Sequence, residues 1–464
     1  MKSTLQSSTC GLKAIYGNSS RRHCLLSVLF VYLCLACAPT LSAQNWNQII
    51  KTAASDRATN DNFGYSVAIS GDYAIVGADY EDEDAAGGST LSSAGSAYIF
   101  KRTGTTWAQE AKIVASDRAT GDFFGVSVAI SGNYVVVGAN YESENATGGN
   151  TLSGAGSAYI FKRTGTTWAQ EAKIVASDRA AGDSFGRSVA INGDYVVVGA
   201  LYEDENATGG STLLSAGSAY IFKRAGTAWA QEAKIVASDR ARDDGFGGAV
   251  AINGDYVVVG AYQEDENATG GSTLSAAGSA YIFKRTGTAW AQEAKIVASD
   301  RAENDVFGFS VAISGDYVVV GAKYESEDAA GGSTLSFAGS AYIFKRAGTA
   351  WAQEAKIVAS NRAESDYFGG SVAISGDYVV VGAYNKTTSA TSTGSAYVFK
   401  RTGTTWAQQA SIVASDRAAN ASFGYAVAIS GDYAIVGAYA ATGGGSAYIF
   451  KPAPVWTGAV STDW

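Results

Sequence analysis

The sequence predicts an all-β fold, a seven-bladed β-propeller of four-stranded antiparallel blades, and three observations predict it. First, a Phe-Gly pair recurs at Phe63-Gly64, Phe124-Gly125, Phe185-Gly186, Phe246-Gly247, Phe307-Gly308, Phe368-Gly369 and Phe423-Gly424, in steps of 61 residues with a last step of 55. A long fixed period marks units that bury their apolar faces only by stacking on neighbours. Second, each unit holds four short apolar runs separated by turn residues, as a propeller blade requires. Third, the last unit lacks its fourth run, and the missing one stands at the other end of the chain.

The second unit shows the order of elements. Gly125-Val126-Ser127-Val128-Ala129-Ile130 is short, apolar and rich in β-branched residues, and Ser131-Gly132 turns the chain. Asn133-Tyr134-Val135-Val136-Val137-Gly138-Ala139 follows as a nearly unbroken apolar strand. Other units place Asn192-Gly193 and Asn253-Gly254 at this turn, a strong hairpin signal because both residues accept φ > 0. A long loop from Asn140 to Ala155 leads to the third strand, Gly156-Ser157-Ala158-Tyr159-Ile160-Phe161-Lys162. Arg163-Thr164-Gly165-Thr166 then turns into a fourth, which runs from Trp168 to Ala176. The fourth mixes charges with apolar residues, as a half-exposed outer strand does. The first three carry almost no charge and are expected to be buried on both faces.

The seventh unit stops after Lys451, one strand short, while Trp46-Asn47-Gln48-Ile49-Ile50-Lys51-Thr52 matches the strand at Trp168. The N-terminal strand is therefore expected to complete the last blade and clasp the ring. No proline stands between Pro39 and Pro452, so the ladders run unbroken.

Residues 1–43 are unlike the rest. Lys2, Lys13, Arg21 and Arg22 precede a 15-residue apolar run from Cys24 to Ala38, then Pro39 and Leu41-Ser42-Ala43. That is the layout of a secretory signal peptide, with a run short for a membrane span. Ser20-Arg21-Arg22-His23-Cys24-Leu25 partly matches a twin-arginine signal, but Cys24 replaces the usual aromatic, so the general secretory route and a secreted or cell-surface location are expected. The plan is a leader at 1–43, the ring at 44–451, and a stiff linker with the start of a further segment at 452–464.

All four cysteines (Cys10, Cys24, Cys34, Cys37) and the only histidine, His23, lie in the leader. The exported chain then holds no disulfide, thiolate nucleophile, imidazole base or soft metal ligand. Losing the leader removes four of the 34 basic residues and none of the 43 acidic ones, which moves the formal net charge from −9 to −13. Such a chain is a poor partner for nucleic acid, whose phosphates need a basic stripe, and for an anionic membrane.

Phe-Gly-x-Ser-Val-Ala-Ile, followed by Val-Val-Gly-Ala and Gly-Ser-Ala-Tyr-Ile-Phe, resembles the FG-GAP repeat of the integrin α-subunit propeller and of bacterial exported proteins. The resemblance spans 46–451. It implies a propeller closed by its N-terminal strand, acting as a binding or adhesion module outside the cell. One departure matters. Many integrin-type blades carry an Asp-x-Asp-x-Asp-Gly calcium loop between the first two strands, where this chain has a tight turn, Ile69-Ser70-Gly71-Asp72-Tyr73. A single carboxylate per turn, such as Asp72, Asp194, Asp255 or Asp316, falls short of the six to eight oxygens calcium takes. The family's calcium sites are not carried over, and no cofactor is expected.

The loops between the second and third strands hold the candidate ligand-binding residues. These are Tyr80, Glu81 and Asp82; Tyr141, Glu142 and Glu144; Tyr202, Glu203, Asp204 and Glu205; Tyr262, Glu264, Asp265 and Glu266; and Tyr324, Glu325 and Glu327. The sixth and seventh loops, at Tyr384-Asn385-Lys386 and Tyr439-Ala440-Ala441, lack acids. Five acidic loops on one face would form a crescent that docks a cationic partner or weakly holds calcium; the plainer reading is a solvated rim that maintains solubility. The tyrosines suit stacking on sugars or protein hot spots, or simply cover the blade edge. Ser-Asp-Arg-Ala recurs ahead of each Phe-Gly pair, as at Asp117-Arg118, with Asn361-Arg362 as a variant. A further acid stands two residues before Phe, as in Asp61, Asp122, Asp183, Asp244, Asp305 and Asp366. Near-identity across units points these to structural work, the Asp accepting backbone N–H groups and the Arg stacking between blades.

These features favour a non-catalytic, monomeric module binding a protein or glycan at the cell surface. A carboxylate-based glycoside hydrolase or lyase is the alternative, although no Asp, Glu or Tyr stands out in one unit only at a core-facing position. A structural spacer in a larger surface protein is the third reading.

Overall fold

A computed structural model describes residues 45–454, apart from 89, 150, 211, 272, 333, 389 and 390. The leader at 1–43 and the segment after Pro454 lie outside the described residues. Every regular element among the described residues is a β-strand, and seven four-stranded antiparallel sheets form the blades. In the fourth, Phe246–Asn253, Tyr256–Ala261, Ser279–Thr286 and Ala289–Ile296 pair in chain order.

The core lies between blades. In the second strand Val257 and Val259 pack toward the third blade and Val258 toward the fifth. The three are fully buried because both faces of the strand meet a neighbour, which is why an unbroken valine run rather than an alternating one suits this position. The outer strand is half-buried, as expected. The innermost strand departs from the expectation of burial on both faces: Gly248–Ala251 are only half-buried. Innermost strands adjoin one another in turn around the ring, so part of each faces the axis instead of a blade.

The Phe-Gly pair is the joint between blades. Phe246 is fully buried, edge-on to Tyr281 at 5.5 Å, and bridges Gly217 of the preceding blade in parallel. Gly247 follows with φ 92°, and its carbonyl oxygen occupies the place where a Cβ on Gly199 would lie. A glycine in each blade lets the two backbones touch.

The hairpin turns sit one residue later than the Asn-Gly signal implies. Asn192 pairs with Tyr195, so Gly193 and Asp194 are central, and only Gly193 has positive φ, at 59°. Glycine in the first central position suits a type II′ turn, and Asp194 then ion-pairs with Arg224.

Closure follows the expected scheme. Trp46–Thr52 pairs antiparallel with Ser446–Pro452 and becomes the outer strand of the last blade. Phe63 bridges Gly445, so the seam repeats the joint found elsewhere in the ring.

Candidate ligand site at the ring axis

The first acid of each acidic loop lies beneath the surface. Glu81, Glu142, Glu203, Glu264 and Glu325 are 1, 2, 1, 0 and 2 % exposed. Each meets a buried lysine from the outer strand of its blade. Lys112 Nζ lies 2.7 Å from both Asp56 Oδ2 and Glu81 Oε2, and Lys295 Nζ is 2.7 Å from both Asp239 and Glu264. Asp56 also accepts the Tyr98 hydroxyl at 2.9 Å. The Asp of Ser-Asp-Arg-Ala thus binds side chains, while the acid before Phe-Gly accepts backbone N–H, as Asp122 does from Ala119 at 2.5 Å.

Asp56, Glu81 and Glu83 bring carboxylate oxygens within 4.8 Å of one another, as do their counterparts in the next four blades. This is a donor set for a cation, and the lysine ammonium already supplies one. The sixth blade changes the three partners together. Asn361 replaces the aspartate, Ser411 the lysine and Lys386 the glutamate, and Lys386 Nζ turns to Asp366 at 2.7 Å. In the seventh, Ala441 replaces the glutamate and Lys51 of the N-terminal strand pairs with Asp416 at 2.5 Å.

Other loop polar groups close the loops on themselves. Asp82, Asp204 and Asp265 accept the N–H groups of Ser93, Ser215 and Ala276 at 2.7, 2.7 and 2.8 Å. Glu144, Glu205 and Glu327 donate their backbone N–H to the buried glutamate two residues earlier. The side chain of Glu266 hydrogen-bonds Glu264, and this contact together with burial pushes its carboxyl up to about 7. Arg118, Arg240 and Arg362 donate to carbonyls of Asp82, Asp204 and Ser326 in the preceding blade. They stitch loop to loop through hydrogen bonds where stacking was expected.

The candidate tyrosines face a different place. Tyr80, Tyr141 and Tyr202 are 46, 51 and 46 % exposed and, with Asp79, Asn140 and Arg187, line a cavity of about 580 Å³. Tyr262 is one position out of register with them. Gln263 takes the equivalent place, donating its N–H to Asp244 as Tyr80 does to Asp61, and Tyr262 lines a second cavity of about 210 Å³. That cavity draws residues from all seven blades, which places it on the ring axis. The two cavities share Tyr65, Val126, Arg187 and Tyr425. Tyr324 packs against Phe337 and Tyr367 at 5.1 and 5.5 Å.

Two positions per unit supply most of this axial mouth. The residue after Phe-Gly is Tyr65, Val126, Arg187, Gly248, Phe309, Gly370 or Tyr425; the one after the Gly-Ala that ends the second strand is Asp79, Asn140, Leu201, Tyr262, Lys323, Tyr384 or Tyr439. Units whose strands are otherwise closely copied diverge here, as they do in the loop just ahead of Phe-Gly. Asp79, Arg187 and Lys323 each occur in a single unit at their position, and Asp79, which is buried, corrects the expectation that no Asp, Glu or Tyr does so. The signal was visible in the sequence as variability against a constant background.

The electrostatics are unusual for so acidic a chain. Among the described residues the side chains of Arg187 and Lys323 make no hydrogen bond or ion pair. Lys323 is 9 % exposed, with Nζ 3.3 Å from the Phe309 ring centroid and 4.8 Å from that of Tyr324. Burial and the charge of Arg187 push its ammonium down to about 8. Burial pushes Asp79 up to about 6 against the opposing hydrogen bond from Asn62, 3.1 Å away, and the opposing charge of Arg187. It also raises the phenols of Tyr384 and Tyr425, which remain protonated donors.

The fold and this mouth define a closed β-propeller of repeats with a pocket on its axis. The FG-GAP repeat profile matches residues 46–100, 107–161, 168–222, 229–283, 290–344, 351–399 and 406–450, and the chain belongs to that family. No curated protein matches the chain. FG-GAP repeats are typical of extracellular proteins, and among the described residues no helix is long and apolar enough to cross a membrane.

Proposed function

We propose that this protein is a non-catalytic binding module, exported through the leader at 1–43, that takes a protein or glycan ligand at the axial mouth. One observation carries the reading: two of the positions that vary among otherwise repeated units meet on the axis. That arrangement makes one asymmetric, aromatic-lined site from a symmetric ring. Tyr80, Tyr141, Tyr202 and Tyr262 form its wall, and the lysine-held glutamates brace the loops behind it. Glycoside hydrolysis uses two carboxylates flanking the scissile bond. Among the described residues the two axial cavities are lined by a single carboxylate, Asp79, so binding is favoured over hydrolysis.

A screen of glycans and cell-surface proteins with the purified protein tests this. A hit is expected to weaken at least about tenfold when Tyr141 and Tyr202 are both changed to Ala. A hit that ignores these changes, and is lost when Glu83, Glu144 and Glu205 are changed to Gln, would return the site to the acidic rim.

A further inference from the structure

We propose that the axial mouth is an anion site that receives the acidic sugar unit at the end of a glycan chain. The inference rests on the reading of the mouth as the ligand site and adds the chemistry of what enters. Arg187 and Lys323 are the carriers. Lys323 is buried and Arg187 half-buried, and among the described residues neither side chain has a hydrogen-bonded or ion-paired partner. Lys323 is 9 % exposed, its ammonium over the Phe309 ring. A partly desolvated cation without an ion-paired carboxylate destabilises the fold, and a cation–π contact offsets only part of that cost. The fold does not require either residue, since the same positions in other blades hold Gly248, Gly370, Asn140 or Leu201. Every other buried lysine position in the repeat is matched by carboxylates, as Lys112 is. The two cations, neither in an ion pair, line one cavity, where an incoming oxyanion would accept charge-assisted hydrogen bonds from both.

The surroundings narrow the class. The chain carries −9 overall, and acidic loops flank the mouth, so a long polyanion lying across this face is repelled. A ligand with one negative charge at its tip is not. The axial cavity, about 210 Å³, has room for one ring, and Tyr65, Tyr262 and Tyr425 line it with aromatic rings and hydroxyl groups, the combination that contacts and hydrogen-bonds a pyranose. Asp79 lines the adjoining cavity as an acceptor for a sugar hydroxyl.

Isothermal titration of the purified protein with glucuronate, glucose, inorganic phosphate and a short Asp-rich peptide, at low salt and pH 7, tests the assignment. Glucuronate is expected to bind at least about tenfold tighter than glucose, and Arg187→Gln and Lys323→Gln each to remove about tenfold or more. The melting temperatures of both variants should stay level or rise, because neither side chain holds the fold. Phosphate or the peptide binding as tightly as glucuronate would overturn the sugar assignment. Glucose binding as tightly as glucuronate, with both lost in Tyr425→Ala, would keep the mouth as the ligand site and overturn the anion inference. Absence of glucuronate binding at millimolar concentration, or binding unchanged in Arg187→Gln, Lys323→Gln and Tyr425→Ala alike, would overturn it outright.

Discussion

Replacing Lys295 by Met removes the cation at the centre of the fourth blade's network. Its Nζ lies 2.7 Å from both Asp239 and Glu264, and the Lys295 and Glu264 side chains are 4 and 0 % exposed. Two carboxylates then face each other without their cation, and breaking a buried pair in this way costs about 3–5 kcal/mol. With an unfolding entropy of about 2.1 cal/mol/K per residue over roughly 400 residues, the melting temperature should fall by about 4–6 °C. The sixth blade indicates how to repair the loss. Asp239→Asn, Glu264→Lys and Lys295→Ser together reproduce its set of Asn361, Lys386 and Ser411, with Asp244 placed to receive the new ammonium as Asp366 receives Lys386. The triple variant should recover most of the lost stability. Differential scanning calorimetry of wild type, single and triple variants decides the matter. The stranded carboxylates of the single variant can take up a proton, so its deficit should be larger at pH 8 than at pH 5. A single variant within about 1 °C of wild type, or a triple variant less stable than the single, would refute the reasoning.

Three further outcomes are expected. Gly199→Ala drives a Cβ into the Gly247 carbonyl of the next blade and should cost about 2–3 kcal/mol in denaturant titration, whereas Gly149→Ala, with open space around it, should change little. Asp61 and Asp122 are pushed up to about 6, and Asp244 and Asp305 to about 7, first of all by burial. Folded values above the unfolded one give stability that is full below pH 3.8 and lost as pH rises through 6–7. The melting temperature should therefore fall between pH 5 and pH 8, and Asp244→Asn with Asp305→Asn should flatten that slope; an unchanged slope would sink the argument. Asp56 and Asp416 are lowered despite burial, chiefly through Lys112 and Lys51, so their contribution is lost only below pH 3.8, outside this window. Lys323→Met should raise the melting temperature of the ligand-free protein by about 1–2 °C, because a desolvated cation is replaced by an apolar chain of similar length; a fall would mean that the ammonium has a structural partner.

Much of the fold was legible because its determinants are local. Val257-Val258-Val259 and its copies read as a strand from composition, and Trp46–Thr52 read as the missing outer strand from its match to the one at Trp168. The two details that went astray were local choices decided by surroundings. Asn192-Gly193 promised a turn centred on itself, but pairing of Asn192 with Tyr195 moved the centre to Gly193-Asp194. Apolar character in the innermost strand suggested two buried faces, but seven such strands meet around an axis and leave one side half-covered.

The candidate site was legible in part. Tyr80, Tyr141 and Tyr202 do reach an open cavity, whereas Tyr262 was grouped with them through an alignment one residue out. Glu81 and its copies read as surface acids because sequence shows a charge and not its partner. Lys112 is 31 positions along the chain and Asp56 is 25 positions before, and only the blade brings both carboxylates to 2.7 Å from the Lys112 ammonium. Sequence by itself determined the repeat, the strand order and the scheme of closure, since periodicity and short-range turn chemistry act on neighbours in the chain. The axial mouth was decided by tertiary structure alone: Tyr65, Arg187 and Lys323 lie in different units and meet only when the ring closes and brings one residue from each blade to a common centre.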